Sequence, residues 1–346
     1  IGVAHYLEAL EMQAEAARIM AMLGGKFPHV MTSVAGGSAW VPTAEKVDDL
    51  LYRWKHVRDW VWGTMIPDTL AIAPFYKGAF SYGGGCGNFL AWGVFNREDQ
   101  KAENRYMPAG VIKTKAGLTV DKPDEKKVKE YVEHSWYTSP SGLNPQEGET
   151  KTIDSWNNKT YNLDGQYSWG KAPRYDEEPM EVGPLARMLV GYLSPENESN
   201  AAIKGVVDYA LNKLGTNDPT ILVSLLGRVA ARNLEAAVIC DWALEWVTEL
   251  ASVVKAGNAE FFAPYELEDG KGAGLWEAPR GAVGHFLNAK DGRIANYQVV
   301  TPSTWDLSPR DKAGVLGPME QALVGTPVAD VERPIEAARI VRSFDP

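Results

Sequence analysis

Apolar side chains recur at three- and four-residue steps near the start of the chain, which predicts two amphipathic helices. The first helix carries its apolar stripe from Val3 to Ala21 and ends at Gly24-Gly25. The second helix begins at Thr43, a residue type that caps helix N-termini, and ends at Gly63. The first stretch of the chain is therefore predicted to be helical.

The same periodicity returns in the second half of the chain. It predicts helices at about 185–192 and 200–214, the latter closed by Gly215. Asp218-Pro219 supplies an N-cap and a first helical residue, and the pattern then continues without proline to Gly257. An unbroken helix there is about 55 Å long. Because it is apolar on more than one side, we expect it at the centre of a helix bundle.

The segment between these helical regions has weak periodicity and many glycine, proline, tryptophan and tyrosine residues. Short strands are predicted at 109–112 and 117–120, and a charged helix at 122–134. A long ordered loop is predicted from His134 to Tyr175. So many aromatic residues indicate that the loop packs against the protein, as long functional or interfacial loops do.

The last ninety residues or so change pattern again. Alternating residues predict a strand over 283–287 and a return strand over 294–300. The turn between them, Ala289-Lys290-Asp291-Gly292, has the Asp-Gly pair of tight hairpins. Helices are predicted at about 318–324 and 334–343.

These elements predict a mainly α fold, with a core of long bundled helices and a small β-hairpin in a mixed α+β periphery. We expect all 346 residues to be part of one large domain. Helices are expected over 1–62, and a loop-rich aromatic region over 63–180. Long bundle helices follow over 181–260. The last part, 261–346, contains the hairpin that carries the candidate site and a C-terminal helix.

Composition and charge exclude several classes of function. Hydrophobic residues make up 45% and charged residues 23%, as in soluble globular proteins, and the net charge of −10 argues against nucleic-acid binding. The two cysteines, Cys86 and Cys240, form no CxxC pair, so the chain contains neither a disulfide framework nor a four-thiolate metal site. We expect both ends to have been cut, since the chain opens on Ile1 within a helical pattern and stops directly after a helix.

An arginine, hydroxyl groups and backbone amides are predicted to meet at one end of the hairpin. Arg280 precedes the first strand, and Pro279 fixes its approach. Thr301-Pro302-Ser303 follows the return strand, so both groups lie at the same open end. Such an arrangement makes a small anion-recognition site. A structural salt bridge with a helix cap at Ser303 or Thr304 fits the residues equally well.

Several motifs, in order along almost the whole chain, resemble the large subunit of NiFe hydrogenases, in particular the uptake, membrane-associated branch. The motifs are Gly24–His29, His134–Tyr137, Met180–Arg187, Leu226–Arg232, Glu277–His285, Asn296–Trp305, Pro309–Asp311 and Ser343–Pro346. In that family nickel is held by four cysteines in two CxxC pairs. The resemblance implies that these pairs precede Ile1 and follow Pro346, so that none of the cysteine ligands is in this chain.

The resemblance implies a Ni–Fe centre whose iron carries two cyanides and one carbon monoxide. Arg280 and Ser303 match the positions that donate hydrogen bonds to cyanide. Backbone N–H groups near Thr301 to Ser303 assist them, and Pro302, which has no N–H group of its own, is implied as a cofactor-binding position with them. Arginine is a poor base, so Arg280 is implied as an electrostatic stabiliser and orienter in catalysis. Asp345 is implied as its catalytic partner, which holds the guanidinium in place.

The same resemblance implies an apolar pocket for carbon monoxide and a magnesium ion nearby. Pro279, Val283 and Thr301 match the pocket positions. The family often has leucine in place of Val283 and valine in place of Thr301, so the local shape and polarity of the pocket differ. Val299 matches the position whose backbone carbonyl reaches Mg2+.

The implied activity is the reversible heterolytic cleavage of dihydrogen into protons and electrons. Electrons leave through Fe–S clusters on a separate small subunit, towards a membrane cytochrome b or another acceptor. The implied location is the periplasmic side of the cytoplasmic membrane, after export with the small subunit. Two alternatives stay open: a hydrogen-sensing homologue, and a nickel-free subunit of the complex I type. The cyanide-donor motifs argue against the second, because a metal-free relative need not keep them.

Overall fold

The computed structural model describes residues 2–97, 101–153, 165–198, 200–257, 260–266 and 268–346. The chain separates into two compact units, Ile1–Ile72 with Asn233–Leu267, and Ala73–Arg232 with Glu268–Pro346. The fold is mainly helical with small antiparallel sheets, as predicted. The assignment to one large domain stays a prediction. Among the described residues, no helix is both long and apolar enough to cross a membrane.

The first unit opens with the two predicted helices, α1 (Gly2–Gly24) and α2 (Ala44–Trp60), which are confirmed. The Thr43 hydroxyl accepts a hydrogen bond from the Lys46 N–H group, so the predicted N-cap is confirmed. Two short paired strands lie between the helices, β1 (Ser33–Val34) and β2 (Gly37–Ser38).

The prediction that α2 ends its helical path at Gly63 is wrong. The chain continues through a π-helical turn, Val61–Met65, into α3 (Ile66–Ile72). Gly63 keeps a helical backbone there, so it weakens the helix without ending it.

The side of α1 that packs inside the first unit is not its apolar stripe. The buried side chains of α1 include Glu15 and Ile19, and Glu15 forms an ion pair with Arg53 of α2. Val3 and Leu7 of the stripe are 76% and 56% exposed. The side of α1 that packs within the first unit therefore combines an ion pair, which the hydrophobic pattern does not reveal, with the buried side chain of Ile19.

The longest helix, α6, runs from Leu225 to Lys255 and is about 46 Å long, shorter than predicted. Asp218 does cap a helical segment, but that segment is a separate 3-10 turn, Pro219–Leu222. The chain turns again before Leu225, and a Cβ atom on Gly227 would lie 1.8 Å from the Leu222 carbonyl oxygen. The sequence pattern runs across this turn because it has no proline.

The second unit contains the predicted helices α4 (Pro184–Leu193) and α5 (Ala201–Leu214), which are confirmed. Gly215 ends α5 in the left-handed conformation, with φ of +74°. Four short strands pair in two antiparallel sheets. They are β3 (Asn88–Ala91) with β4 (Gly110–Lys113), and β5 (Val128–Tyr131) with β6 (Ala172–Tyr175).

Two predictions for the aromatic region are wrong. Residues 117–120 form no strand, and the charged segment 122–134 is not a helix. It forms a short 3-10 turn, Glu125–Lys127, and then β5, because pairing with β6 buries Val128 and Tyr131 and outweighs the helical preference of the charged residues. Part of the predicted loop, 154–164, lies outside the described residues.

The predicted hairpin is confirmed as β8 (Gly281–Lys290) and β9 (Arg293–Val300). A further strand, β7 (Gly270–Ala278), pairs with β8 and completes a sheet in the order β7-β8-β9. This strand was not predicted, because its glycines interrupt the alternation of apolar and polar residues that is typical of strands. The sheet packs on a core that includes Phe286, Val300 and Trp305.

Three helices follow the sheet: α7 (Pro302–Asp306), α8 (Pro318–Leu323) and α9 (Ile335–Ser343). The last two are confirmed predictions, whereas α7 was not predicted. Phe344, directly after α9, is buried in a cluster with Ile340 and Leu225. The C-terminal segment is thereby anchored beside the start of α6.

Candidate active site

The sheet brings the two predicted groups of site residues to one end. Arg280 lies in the two-residue turn between β7 and β8, where Ala278 pairs with Gly281. Gly284 of β8 pairs with Val300 of β9, so the neighbouring residues Val283 and Thr301 also lie side by side. The turn that holds Pro279 and Arg280 and the segment that leads into α7 are therefore at the same end of the sheet, as predicted.

Arg280 and Asp345 form the expected pair. The Arg280 Nε–H group donates to the main-chain carbonyl of Asp345 at 2.7 Å, and Nε lies 3.3 Å from the Asp345 carboxylate. Asp345 has a left-handed backbone with φ of +55°, which allows its carbonyl and its carboxylate both to reach one guanidinium. Both side chains are about half exposed. The pair closes one side of the guanidinium and leaves other N–H groups for an acceptor.

A buried ion pair fixes the turn that carries Arg280. Arg187 of α4 lies 2.8 Å from Glu277 and donates to the carbonyls of Ala278 and Pro279 at 3.0 and 2.9 Å. The second Glu277 oxygen accepts the Trp92 N–H at 2.6 Å. Sequence reasoning gave no role to this pair, although an arginine inside an apolar helix was a signal for it.

Close backbone packing holds the same turn against α4. Gly183 and Gly281 have φ of +105° and +133°, values that favour glycine. A Cβ atom on Gly281 would lie 2.4 Å from the Gly183 nitrogen. Only glycine at these positions allows the start of α4 and the start of β8 to approach so closely.

At the start of α7, the hydroxyl groups differ in their bonding. Thr301 and Thr304 share a hydrogen bond of 2.7 Å between their hydroxyl oxygens. The half-buried Ser303 hydroxyl has no hydrogen-bond partner among the described residues. Thr301 occupies the N-cap position, so the alternative role of Ser303 or Thr304 as the cap is wrong. Pro302 is buried and sets the direction of α7.

Val299 lies further from the turn. It pairs with His285 in the sheet, and its side chain is 38% exposed. The His285 ring nitrogen in turn lies 2.5 Å from the Tyr297 hydroxyl. Val299 therefore lies in β9, two residues before Thr301, and the role of its carbonyl as a magnesium ligand stays a prediction.

Three arginines hold the C-terminal segment beside the site. Arg228 of α6 forms a two-pronged pair with Glu181, at 2.7 and 2.8 Å, and its guanidinium stacks on Phe344 at 4.0 Å. Arg232, one helical turn later, donates to the Ser343 carbonyl at 3.1 Å. Arg280 donates to Asp345, the residue after Phe344. Together these contacts fix the consecutive residues Ser343, Phe344 and Asp345. Of these contacts, the pair of Arg280 and Asp345 was expected, whereas those of Arg228 and Arg232 were not.

Asp306, at the end of α7, is a buried carboxyl group near the same segment. It is 3% exposed, and its Oδ1 atom accepts the Val182 N–H at 3.0 Å. Burial, together with the nearby Glu181 charge, raises the pKa of Asp306 well above its ordinary value of 3.8. Arg228 and Arg232 oppose this shift.

Neither cysteine is suited to hold a metal. Burial raises the pKa of Cys86 and of Cys240 to about 12, so both thiols stay protonated. Within the described parts of the chain, no group of three histidine, cysteine, aspartate or glutamate side chains is arranged as a metal site.

A family model described as nickel-dependent hydrogenase matches residues 1–346. The chain is 37% identical to the periplasmic NiFeSe hydrogenase large subunit of Desulfomicrobium baculatum, over all of this chain and 64% of that protein. It is 36% identical to the uptake hydrogenase large subunit of Rhizobium leguminosarum bv. viciae, over all of this chain and 63% of that protein.

A solved structure is similar as well. The NiFeSe hydrogenase of Dm. baculatum superposes with a TM-score of 0.83 at 36% identity, covering all of this chain and 68% of that one. The chain spans slightly less than two thirds of the length of the relatives it matches in sequence.

Proposed function

The chain belongs to the nickel-dependent hydrogenase family, and on that premise we propose that it forms the greater part of the catalytic large subunit of a NiFe hydrogenase. The proposed reaction is the reversible heterolytic cleavage of dihydrogen into protons and electrons. The observation that supports the proposal is the strand register of the β7-β8-β9 sheet, which brings the turn of Arg280 and the segment of the unbonded Ser303 hydroxyl to the same end of the sheet. Hydrogenase relatives match the whole chain around that site.

The residues present fit the outer part of a Ni–Fe(CN)2(CO) centre. Cyanide nitrogens accept hydrogen bonds, and the Arg280 N–H groups and the Ser303 hydroxyl are donors with bonding capacity left. Carbon monoxide accepts poorly, and the apolar groups of Pro279 and Val283 suit it. When bound, the centre supplies a Lewis acid that polarises dihydrogen.

Arg280 acts through charge and orientation. A guanidinium stays protonated at neutral pH, so it stabilises negative charge that develops beside it without taking up a proton. Asp345 fixes the rotation of the guanidinium from one side. Arg187 and Glu277 fix the turn beneath it. This preorganisation is the contribution of the chain to catalysis.

Partners and location follow from the same proposal. An Fe–S small subunit receives the electrons and passes them to a membrane cytochrome b or another acceptor. The Val299 carbonyl would serve as a ligand of the Mg2+ ion. The names of relatives, which include periplasmic and uptake enzymes, support a periplasmic location at the membrane.

The test is to express the complete large subunit with its small subunit and to measure nickel, iron and dihydrogen-dependent dye reduction. We expect about one nickel per heterodimer and rapid reduction that stops when argon replaces dihydrogen. Absence of nickel overturns the proposal. Bound nickel with very slow turnover favours the hydrogen-sensing alternative over the enzyme.

A further inference from the structure

The three residues directly before α4, 181–183, form a junction between elements that carry the candidate site. Both oxygens of Glu181 accept from Arg228 in the first turn of α6, at 2.7 and 2.8 Å. The next residue donates its backbone N–H to Asp306 at the end of α7, at 3.0 Å. The third packs its backbone against Gly281, directly after the turn between β7 and β8. The junction thus joins α6, α7 and that turn.

Arg228 extends the junction to the C-terminal segment. Its side chain and that of Glu181 are 3% and 1% exposed. The guanidinium also donates to the Gly83 carbonyl, and its carbon atom lies 4.0 Å from the centre of the Phe344 ring. A planar group that is bonded along its edges and covered on one face has little freedom to rotate. The position of the Phe344 ring is thereby tied to that of Glu181.

Phe344 is in turn connected to Arg280. The residue after it, Asp345, accepts from the Arg280 Nε–H group through its main-chain carbonyl at 2.7 Å. The N–H groups of Phe344 and Asp345 donate to carbonyls in the last turn of α9, at 3.1 and 3.0 Å. Arg228, Phe344 and Arg280 line one cavity of only about 10 Å3. In packing this close, a displacement of one group moves its neighbours.

We propose that Arg228 is a positioning residue of the active site, which sets the orientation of the Arg280 guanidinium through Phe344 and Asp345. The inference deepens the proposed function and rests on it. It assigns a role to the motif Leu226–Arg232, which lies outside the sheet that carries the candidate site.

The planar shape of Arg228 is what this role requires, and its charge alone is not sufficient. A lysine compensates the charge of Glu181, so the fold should persist with lysine at this position. It cannot donate two parallel hydrogen bonds to one carboxylate and also lie flat on a ring. Arg228→Lys therefore keeps the ion pair and releases Phe344.

The first measurement is hydrogen exchange of the assembled heterodimer, by mass spectrometry of a peptide that covers 335–346. Arg228→Lys, and Phe344→Leu, which keeps an apolar side chain without the ring, should each raise exchange of the last hydrogen-bonded amides about tenfold, because the segment opens more often. The matched control is Arg174→Lys. Arg174 is 0% exposed and pairs with a buried carboxylate, so this variant should lower the urea midpoint without faster exchange of the peptide.

The second measurement is the infrared spectrum of the enzyme in the region of cyanide stretching, which responds to hydrogen bonds at the nitrogen. Arg228→Lys and Phe344→Leu should shift these bands, and Arg174→Lys should not. In the first two variants, we expect the turnover number to fall about tenfold at a nearly unchanged KM for dihydrogen, because an orienting group acts mainly in the transition state.

Unchanged peptide exchange or unchanged cyanide bands in both Arg228→Lys and Phe344→Leu overturn the proposal. Equal effects of Arg174→Lys on exchange and bands overturn it as well, since they would show a general loss of stability. If the unaltered enzyme contains no nickel, the proposed function fails, whereas the exchange rates still decide whether Arg228 holds the C-terminal segment.

Discussion

Arg280 is held by three kinds of contact, and each restrains a different freedom. Asp345 fixes the guanidinium, Arg187 fixes the carbonyls of the preceding residues, and Gly281 fixes the backbone that follows. A side chain held in this way needs little reorganisation when charge develops beside it. The chemistry of arginine at this position should therefore depend on geometry as well as on charge.

The first prediction concerns Arg280→Lys. Lysine keeps the positive charge but has no planar fork, so it cannot hold Asp345 and a second acceptor in the fixed geometry of the guanidinium. We expect nickel and iron to be retained and turnover to fall about 100-fold, as when one preorganised donor is lost. Dye reduction and metal analysis measure both quantities. Arg333→Lys, at an exposed ion pair, is the control, and equal activity of the two variants would refute the role of Arg280.

The second prediction concerns the buried pair of Arg187 and Glu277. Arg187→Met removes the cation and leaves the Glu277 carboxylate buried, with side-chain exposures in the native pair of 4% and 2%. We expect the free energy of unfolding to fall by about 3–5 kcal/mol. Urea unfolding measures it. Arg333→Met breaks a pair whose arginine is 81% exposed and should cost less than about 1 kcal/mol. Similar losses in both variants would contradict this account.

At the scale of elements, the sequence pattern correctly predicted those helices and strands that local interactions determine. Helices α1, α2, α4, α5, α8 and α9 and the hairpin β8-β9 follow directly from periodicity, caps and turn residues. The failures depend on long-range contacts. Strand β5 exists because β6, over forty residues away, pairs with it, and the early start predicted for α6 misses a turn that Gly227 permits.

The candidate site shows the same division. The placement of Arg280 and Ser303 at one end of the sheet follows from the hairpin, so the sequence was sufficient for it. The buried charges Glu181, Arg228 and Asp306 were missed because they meet only when separate segments fold together. Burial of charge is a property of the tertiary structure, and a single sequence indicates it only where, as at Arg187, a charged residue lies inside an apolar helix.

The third prediction tests the contact between α4 and β8. In Gly281→Ala the new Cβ atom meets the Gly183 nitrogen at 2.4 Å and the strained φ of +133° adds to the cost. We expect a loss of unfolding free energy of about 3 kcal/mol or more, with weaker metal retention because the Arg280 turn shifts. Gly292 has φ of +67° and open space around it, so Gly292→Ala should cost only the backbone strain of about 1–2 kcal/mol. Equal effects of the two substitutions would show that the close approach is unimportant.

At the scale of the whole molecule, the described residues include an apolar stripe on α1 that is exposed. Val3, Leu7 and Leu10 form a stripe along α1 that is exposed, although their spacing is typical of a buried helix face. The buried side of α1 contains Glu15 and Ile19 instead. Because contiguous exposed apolar surface marks interaction sites, we expect the stripe to be covered in the proposed assembly with a small subunit.

The fourth prediction follows from that stripe. In the complete large subunit bound to its small subunit, backbone amides of α1 should exchange with D2O at least tenfold more slowly than in the 346-residue chain alone, because burial of the stripe suppresses local opening. Mass spectrometry of peptides from α1 measures the rates, and peptides from α5, which buries its own apolar face, provide the reference. Leu7→Lys should weaken assembly while Glu11→Lys, on an exposed polar position, should not. If α1 exchanges at the same rate in both forms, the stripe is an ordinary solvent-exposed surface and the pattern of α1 has no role in assembly.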